Sequence, residues 1–297
     1  MINYEEMLNN IVSIKEKMND GITKHILKTD TIGNVITGRL LPNIKDIDPE
    51  TGAIPTEYSY YCHFVRSKID NSNIYVNCLN TLGNPCPICK KSIEMWKSGD
   101  ESKKKRSEGI RRQHNFVTNF YVINDVKNPA NNGKVMLLKY GKQIDMKIKG
   151  ALEGELAEFY GKRIYRLDEQ GCTFMIKAEK NADNKNSKNS YVTYTNSTFL
   201  PAGPIVGMTP EKMNEIMSAT HCLSAPHKVC KTPQELIDLL NKHYFINDVQ
   251  QTSNADVETF TGNVGSSTAT STVTTEKKSD TVSVDEATLD DMIKELG

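Results

Sequence analysis

Four side chains in the first third of the chain have the types and spacing to hold one metal ion. Cys86-Pro-Ile-Cys89 forms a CxxC knuckle, and His63 and Cys78 precede it. Such a turn lets two thiolates reach a single tetrahedral ion, and a third thiolate with an imidazole completes a closed set of four. Zinc is the natural occupant of three sulfurs and one nitrogen, and a set with no position left for water predicts one structural Zn2+. The alternative is a reduced redox pair or inert thiols. Cys62 adjoins His63, and a strand sends neighbours to opposite faces, so only one of them can face the ion. Pro85-Cys86-Pro-Ile-Cys89 also matches the second half of the zinc deaminase signature. His63 is followed by Phe-Val, however, so the general acid/base Glu is missing, and a filled fourth position leaves no room for the attacking water. No enzymatic activity is expected.

His221, Cys222, His227 and Cys230 form a second cluster, but they lack a CxxC knuckle and lie among Pro and Ser between two expected helices. They read as ordinary loop residues. Cys172, inside a strand pattern, reads as a small core residue.

The next chemistry is cationic. Lys103, Lys104, Lys105 and Arg106, then Arg111 and Arg112, lead into the strand-like run from Asn115 to Ile123. Cations interleaved with aromatics suit single-stranded nucleic acid, because the charges follow phosphates while exposed rings stack on bases. Alternation puts Phe116, Thr118 and Phe120 on one face and Val117, Asn119, Tyr121 and Ile123 on the other, so not every ring can meet a base. Lys139, Tyr140 and Lys142 follow the hairpin-like Asn131-Asn-Gly133, and Tyr191 and Tyr194 follow a polar Lys/Asn-rich insertion.

The elements that must position these groups change along the chain. Residues 4–18 read as an amphipathic helix, with Met7, Ile11, Ile14 and Met18 at helical spacing. From about Asp30 the pattern becomes short runs rich in Val, Ile, Thr and aromatics, bounded by turn residues: a β-rich domain. Further helices are expected over Ile144–Tyr160, Thr209–Met217 and Thr232–Tyr244, the last opened by Thr-Pro-Gln-Glu. After Val249 a Ser/Thr-rich stretch over 250–283 cannot bury enough surface to fold and reads as a disordered linker. The last residues, 284–297, interleave apolar side chains with acids and could form a short helix on a partner, or simply solubilise.

The 297 residues carry 37 basic and 37 acidic side chains, and the resulting neutrality hides a segregation. From Gln251 onward there are nine acids against three lysines, a balance of −6, so the preceding residues carry +6. Lys90–Lys149 alone hold fifteen basic residues against six acids. That distribution suggests a polyanion-binding body with an acidic tail. No window approaches about 18 consecutive apolar residues, and the acidic start lacks the pattern of a signal peptide. Four of the seven cysteines fall between 62 and 89, which argues against a secreted disulfide framework. A soluble intracellular protein without a membrane partner is expected.

In order and spacing, these residues resemble the single-stranded DNA-binding, helix-destabilising proteins of T4-type bacteriophages. The resemblance covers most of the chain: Gly33-Asn-Val-Ile-Thr-Gly-Arg-Leu-Leu-Pro42, the His63, Cys78, Cys86, Cys89 order, the basic run to Asn119 and Asp125, Gly133-Lys-Val135, Tyr140-Gly-Lys142, Phe174-Met-Ile-Lys177, Tyr194 to Phe199, and the leucine-bearing acidic terminus. It implies a β-rich α+β fold in which an OB-fold barrel over 23–249 carries a zinc-binding subdomain at about 60–115, with flanking helices. It implies sequence-independent binding and protection of single-stranded DNA in replication, recombination and repair, in the cytoplasm of the host cell. Matching positions place Arg39, Arg111, Arg112 and Lys142 at phosphates and make Phe116, Tyr140 and Tyr194 stacking or cleft-lining rings. In the family the acidic tail recruits replication and recombination proteins and competes with DNA for the basic cleft. Here that role falls to Asp285, Glu286, Leu289, Asp290, Asp291, Ile293 and Leu296. Residues 1–22 would serve self-association along DNA. The family type member begins with a short Lys/Arg-Ser/Thr cluster for cooperative contact, whereas this chain begins Asn-Tyr-Glu-Glu and has its nearest basic group at Lys15-Glu-Lys17, so cooperativity is expected to be weaker or built differently. The competing reading is a zinc-stabilised protein-interaction scaffold whose basic stretch is merely solvated.

Overall fold

The computed structural model describes residues 25–181 and 191–246. The chain divides into two units, Met1–Gln251 and Thr252–Gly297, and every described residue lies in the first. The expected N-terminal helix and segment 1–22, the linker 250–283 and the acidic segment 284–297 lie outside the described residues.

Strands form the framework of the described part. They are β1 (Val35–Leu41), β2 (Tyr58–Arg66), β3 (Asn73–Asn77), β4 (Arg112–Asp125), β5 (Val135–Tyr140), β6 (Cys172–Lys177), β7 (Glu179–Lys180), β8 (Val192–Thr193) and β9 (Thr198–Ala202). Six α-helices accompany them: α1 (Pro87–Lys97), α2 (Glu101–Glu108), α3 (Lys142–Leu152), α4 (Pro210–Ser218), α5 (Ala225–Lys228) and α6 (Pro233–His243). Seven strands form one antiparallel sheet in the order β3-β2-β4-β1-β6-β9, with β5 also on β4, while β7 and β8 form a separate ribbon. This is a β-rich α+β arrangement. Among the described residues no pairing closes the sheet, so the expected barrel is not closed: β3 and β9 remain the two ends of an open path.

The 14-residue strand β4 organises the sheet. Its Arg112–Val117 half pairs with β2 and its Asn119–Asp125 half pairs with β1, while Phe116–Tyr121 pairs with β5. Side-chain alternation sends Phe116, Phe120 and Val122 into a core with Ile36, Leu40, Leu138, Ile144, Phe174 and Ile176. Val117 points the other way, to Tyr60, Cys62, Leu137 and Leu223. Over much of its length β4 is covered on both faces, which explains its near-continuous apolar run. β1 carries a bulge between Thr37 and Gly38, where an added Cβ would collide with the Phe120 ring and the Tyr121 carbonyl. The Asp125 carboxylate accepts from Asn34 Nδ2 at 2.9 Å, Asn131 Nδ2 at 2.8 Å and Asn128 N at 3.1 Å, pinning the β4–β5 turn to the approach of β1.

A second core surrounds the cysteines. Val65, Val76, Ile88, Met95 and Ile110 pack there with Leu236 and Leu240 of α6 and with Tyr244. The sequence forms α6 through a capping box: the Thr232 side chain accepts from Glu235 N, the Glu235 carboxylate accepts from Thr232 N, and Pro233 opens the first turn. α4 likewise starts on Thr209, which accepts from Lys212 N. α3 ends at Leu152, before the expected Tyr160, and turns followed by a short 3-10 helix (Gly161–Tyr165) replace its continuation. Leu152, Leu156 and Tyr160 keep helical spacing, which underlies the expectation, but Gly154 is a poor helix former just after the observed end.

Candidate metal centre and nucleic-acid interface

The cysteine knuckle assembles as its spacing predicts. β2 turns His63 to the face opposite Cys62, and Cys62 packs beside Tyr60 and Val117, where its sulfur accepts from Asn115 Nδ2 at 3.1 Å. Cys78 follows β3, Cys86 is the residue before α1, and Cys89 sits in the first turn of that helix. Pro87 at the helix start costs no hydrogen bond, because that N–H would have no partner inside the helix. All four ligand atoms are on buried residues and lie within 4.8 Å of one another. Cys78 Sγ is 3.5 Å from Cys89 Sγ, and His63 Nε2 is 3.5 Å from Cys86 Sγ and 3.6 Å from Cys89 Sγ. Those separations match the edges of a tetrahedron with bonds of about 2.3 Å to sulfur and about 2.0 Å to nitrogen.

The tautomer of His63 also fits. Its Nδ1 lies 2.9 Å from the Ile110 carbonyl, which can only accept, so the proton resides on Nδ1 and the Nε2 lone pair faces the sulfurs. Hydrogen bonds from Cys78, then Cys89, hold the Cys86 thiol well below its ordinary range. The same contacts push Cys78 up to about 12 and raise Cys89. One thiolate therefore forms readily, and a cation would displace the protons of the others. The four residues could hold a metal ion. Among the described residues no other such group assembles. Cys222 donates to Asp46 at 2.9 Å, His221 Nε2 approaches the Val135 carbonyl at 3.2 Å, and His227 stacks on tyrosine, so the second cluster does not converge.

Beside this subdomain, β5 stops at Tyr140, opposite Phe116, leaving the edge of β4 uncovered at Asn115 while Gly141 turns the chain into α3. The gap is a cleft of about 370 Å³. Phe64 of β2 and Tyr75 of β3 form one wall as a cross-strand pair, 5.4 Å between ring centroids at 65°. Both are 41% exposed, which large rings do not need for core packing. Tyr60, Tyr140 and Tyr194 also line the cleft. Tyr140 donates to the Glu57 carboxylate, and burial and that carboxylate both raise its pKa, so the ring is neutral and fixed. Tyr194 is held by its backbone N–H donating to Gln143 Oε1 at 3.0 Å.

Lys139 lines the same cleft. Desolvation lowers its pKa, and among the described residues its ammonium has neither an ion pair nor a hydrogen bond. A half-buried cation left without a partner is poised for an anion.

The expected DNA-contacting residues distribute unevenly. Lys139, Tyr140 and Tyr194 meet in the cleft, and the exposed Lys142 begins the helix beyond Gly141. Lys103, Lys105 and Arg111 are exposed, and Lys104 pairs with Glu101 at 2.7 Å. The Arg106 guanidinium lies 5.4 Å over the Phe245 ring and that of Arg112 lies 4.2 Å over Tyr61. Two residues stand elsewhere. Arg39 is 1% exposed and donates to the Gly203 carbonyl at 2.6 Å, because β1 is a central strand between β4 and β6, so it offers no surface to a phosphate. Phe116 is 4% exposed and faces the main core, where it stacks on Tyr140 at 5.5 Å instead of lining the cleft.

Tyr60, Phe64 and Tyr75 were not among the expected contacts. A signal for Phe64 existed: if His63 faces a buried ion, strand alternation forces Phe64 away from it.

A cysteine–histidine cluster that could hold a metal ion and a ring-lined cleft with a lysine that is unpaired among the described residues, joined through β2, are the parts of a nucleic-acid-binding protein. The chain belongs to the gp32 DNA binding protein like family, whose model matches residues 33–258. The family is one of DNA-binding proteins and not of enzymes, and the match bears out the resemblance drawn from the sequence. No curated protein matches the chain. Among the described residues no helix is long and apolar enough to cross a membrane.

Proposed function

We propose that this protein binds and protects single-stranded DNA without sequence preference during phage DNA replication, recombination and repair, in the host cytoplasm. The observation that carries the reading is the cleft lined by Phe64, Tyr75, Tyr140 and Tyr194 together with Lys139, which has no partner among the described residues. Every base has a π face, so rings bind unpaired bases irrespective of sequence, whereas in a duplex those faces are occupied by neighbouring pairs. The exposed Lys103, Lys105, Arg111 and Lys142 would follow the phosphates. The three sulfurs and one nitrogen favour a single structural Zn2+, which would tie β2, β3 and α1 together and so steady the wall that carries Phe64 and Tyr75. The open sheet, with β4 shared between β1, β2 and β5, is read as a partly open OB-type barrel.

Outside the described residues, the acidic segment 284–297 would recruit replication and recombination proteins and compete with DNA, with 250–283 as its spacer and 1–22 serving self-association. The test is titration of fluorescent oligo-dT at several salt concentrations against a duplex competitor, with zinc quantified on the same sample. Tight, salt-sensitive binding that is indifferent to base sequence and resists duplex is expected. Preference for duplex would overturn the reading. Unchanged affinity after Arg111→Glu with Arg112→Glu would return it to a metal-stabilised scaffold.

A further inference from the structure

His221, Cys222, His227 and Cys230 stand out in the sequence, yet the metal site uses none of them. Their segment is fastened at three places. The Asp46 carboxylate accepts from Cys222 Sγ at 2.9 Å, Leu223 N at 2.8 Å and Ser224 N at 3.2 Å. Asn119 donates to the His221 carbonyl at 3.0 Å and accepts from His221 N at 2.8 Å. Asn77 Nδ2 donates to the Val229 carbonyl at 2.8 Å.

The segment so held presents one buried ring to Tyr60, a residue that lines the cleft. His227 lies on Tyr60 with 3.7 Å between ring centroids and 16° between planes, and over Tyr58 at 5.8 Å and 15°. Tyr60 lines the cleft, and its phenol interacts with that of Tyr75, one of the two exposed rings. The imidazole is neutral, because burial first and Lys139 second push its pKa down to about 4. A neutral flat ring can support a tyrosine without repelling the nearby ammonium.

We propose that His227 is a positioning residue for DNA binding: its stack on Tyr60 fixes the wall from which Tyr75 and Phe64 meet nucleobases. The ring contribution to affinity thus depends on a segment outside the cleft, through preorganisation rather than contact. This role rests on the reading of the cleft as the DNA interface.

The full-length chain is compared with His227→Ala, His227→Phe, Tyr60→Ala and the double variant His227→Ala/Tyr60→Ala. In the free protein, aromatic NMR signals of Tyr60 and Tyr75 report the stack directly. Binding is read with oligo-dT and with an abasic oligonucleotide of equal length. His227→Ala is expected to shift both tyrosine signals and to weaken oligo-dT binding about tenfold, the scale of one misplaced stacking ring. Abasic binding and its salt slope stay unchanged, His227→Phe restores affinity, and the double variant binds like Tyr60→Ala. Equal losses for both oligonucleotides, or single losses that multiply in the double variant, overturn the role. Unshifted tyrosine signals overturn it without touching the cleft reading. Full oligo-dT affinity in Tyr60→Ala, with signals still moved by His227→Ala, overturns the cleft reading and this role with it.

Discussion

Replacing Lys139 by Met should move stability and affinity in opposite directions. The lysine sits half-buried in the cleft, desolvated, with no counterion among the described residues, so in the free protein its charge is a net cost. Met keeps the length of the aliphatic stem. Because the ammonium retains some exposure, we take the low end of the range for removing a buried charge, about 1 kcal/mol of stabilisation. For a core of this size that raises Tm by about 2–4 °C. In the complex the same ammonium would meet a phosphate, and one charged hydrogen bond is worth about 1.5–3 kcal/mol, or roughly 10- to 150-fold in affinity at low salt. Counterion release gives an independent measure, since losing one phosphate contact on a single strand lowers the log–log salt slope by about 0.7. Calorimetric melting of the free protein and anisotropy titration of oligo-dT across a salt series supply both numbers. A lower Tm with an unchanged salt slope would refute the reasoning and make Lys139 a structural cation.

Four further outcomes follow from the same geometry. Phe64→Ala and Tyr75→Ala should each weaken oligo-dT binding by about 1–3 kcal/mol with little change in salt slope; unaltered affinity in both would remove the exposed pair from the interface. Cys89→Ser, or chelation, should release one metal equivalent per chain and lower Tm, measured by metal analysis and melting, while full stability without metal would make the knuckle dispensable. Arg39→Met should leave the salt slope of DNA binding unchanged, because the guanidinium is buried; a slope reduced by about 0.7 would show that it reaches a phosphate after all. Asp46, hydrogen-bonded by Cys222, Asn43, Leu223 and Ser224, titrates at about 2. Its folded value lies below the unfolded one, so its contribution is complete above pH ~4 and is lost as pH falls towards 2. Asp46→Asn should cost about 1 kcal/mol at pH 7 after allowance for solvent screening, and the gap to the parent should narrow in acid melts.

The four residues that could hold a metal ion were legible because coordination chemistry acts on residue type and spacing directly. So were α4 and α6, which announce themselves by Thr-Pro starts. α2 was not: Glu101–Glu108 is polar around its whole circumference, leaving no periodicity to read, and it is started by Asp100 accepting from Ser102 N and Lys103 N. The lining of the cleft was half legible. Lys139, Tyr140 and Tyr194 emerged, but Phe64 and Tyr75 look like ordinary strand aromatics until the register of β2 on β3 pairs them on an outward face. Arg39 shows the converse error, since nothing local in Thr-Gly-Arg-Leu reveals that β1 lies between two other strands. The docking of α6 on the cysteine core joins residues far apart in the chain, which no short-range pattern encodes.

That last contact bears on the order of events during synthesis. Ribosomal translation delivers His63, Cys78, Cys86 and Cys89 long before Leu236, Leu240 and Tyr244, which complete the packing around them. The nascent chain therefore passes through an interval in which the ligands exist but part of the apolar cover over Ile88, Met95 and Ile110 does not. Early capture of an ion would bridge this interval, holding β2, β3 and α1 in register until α6 arrives.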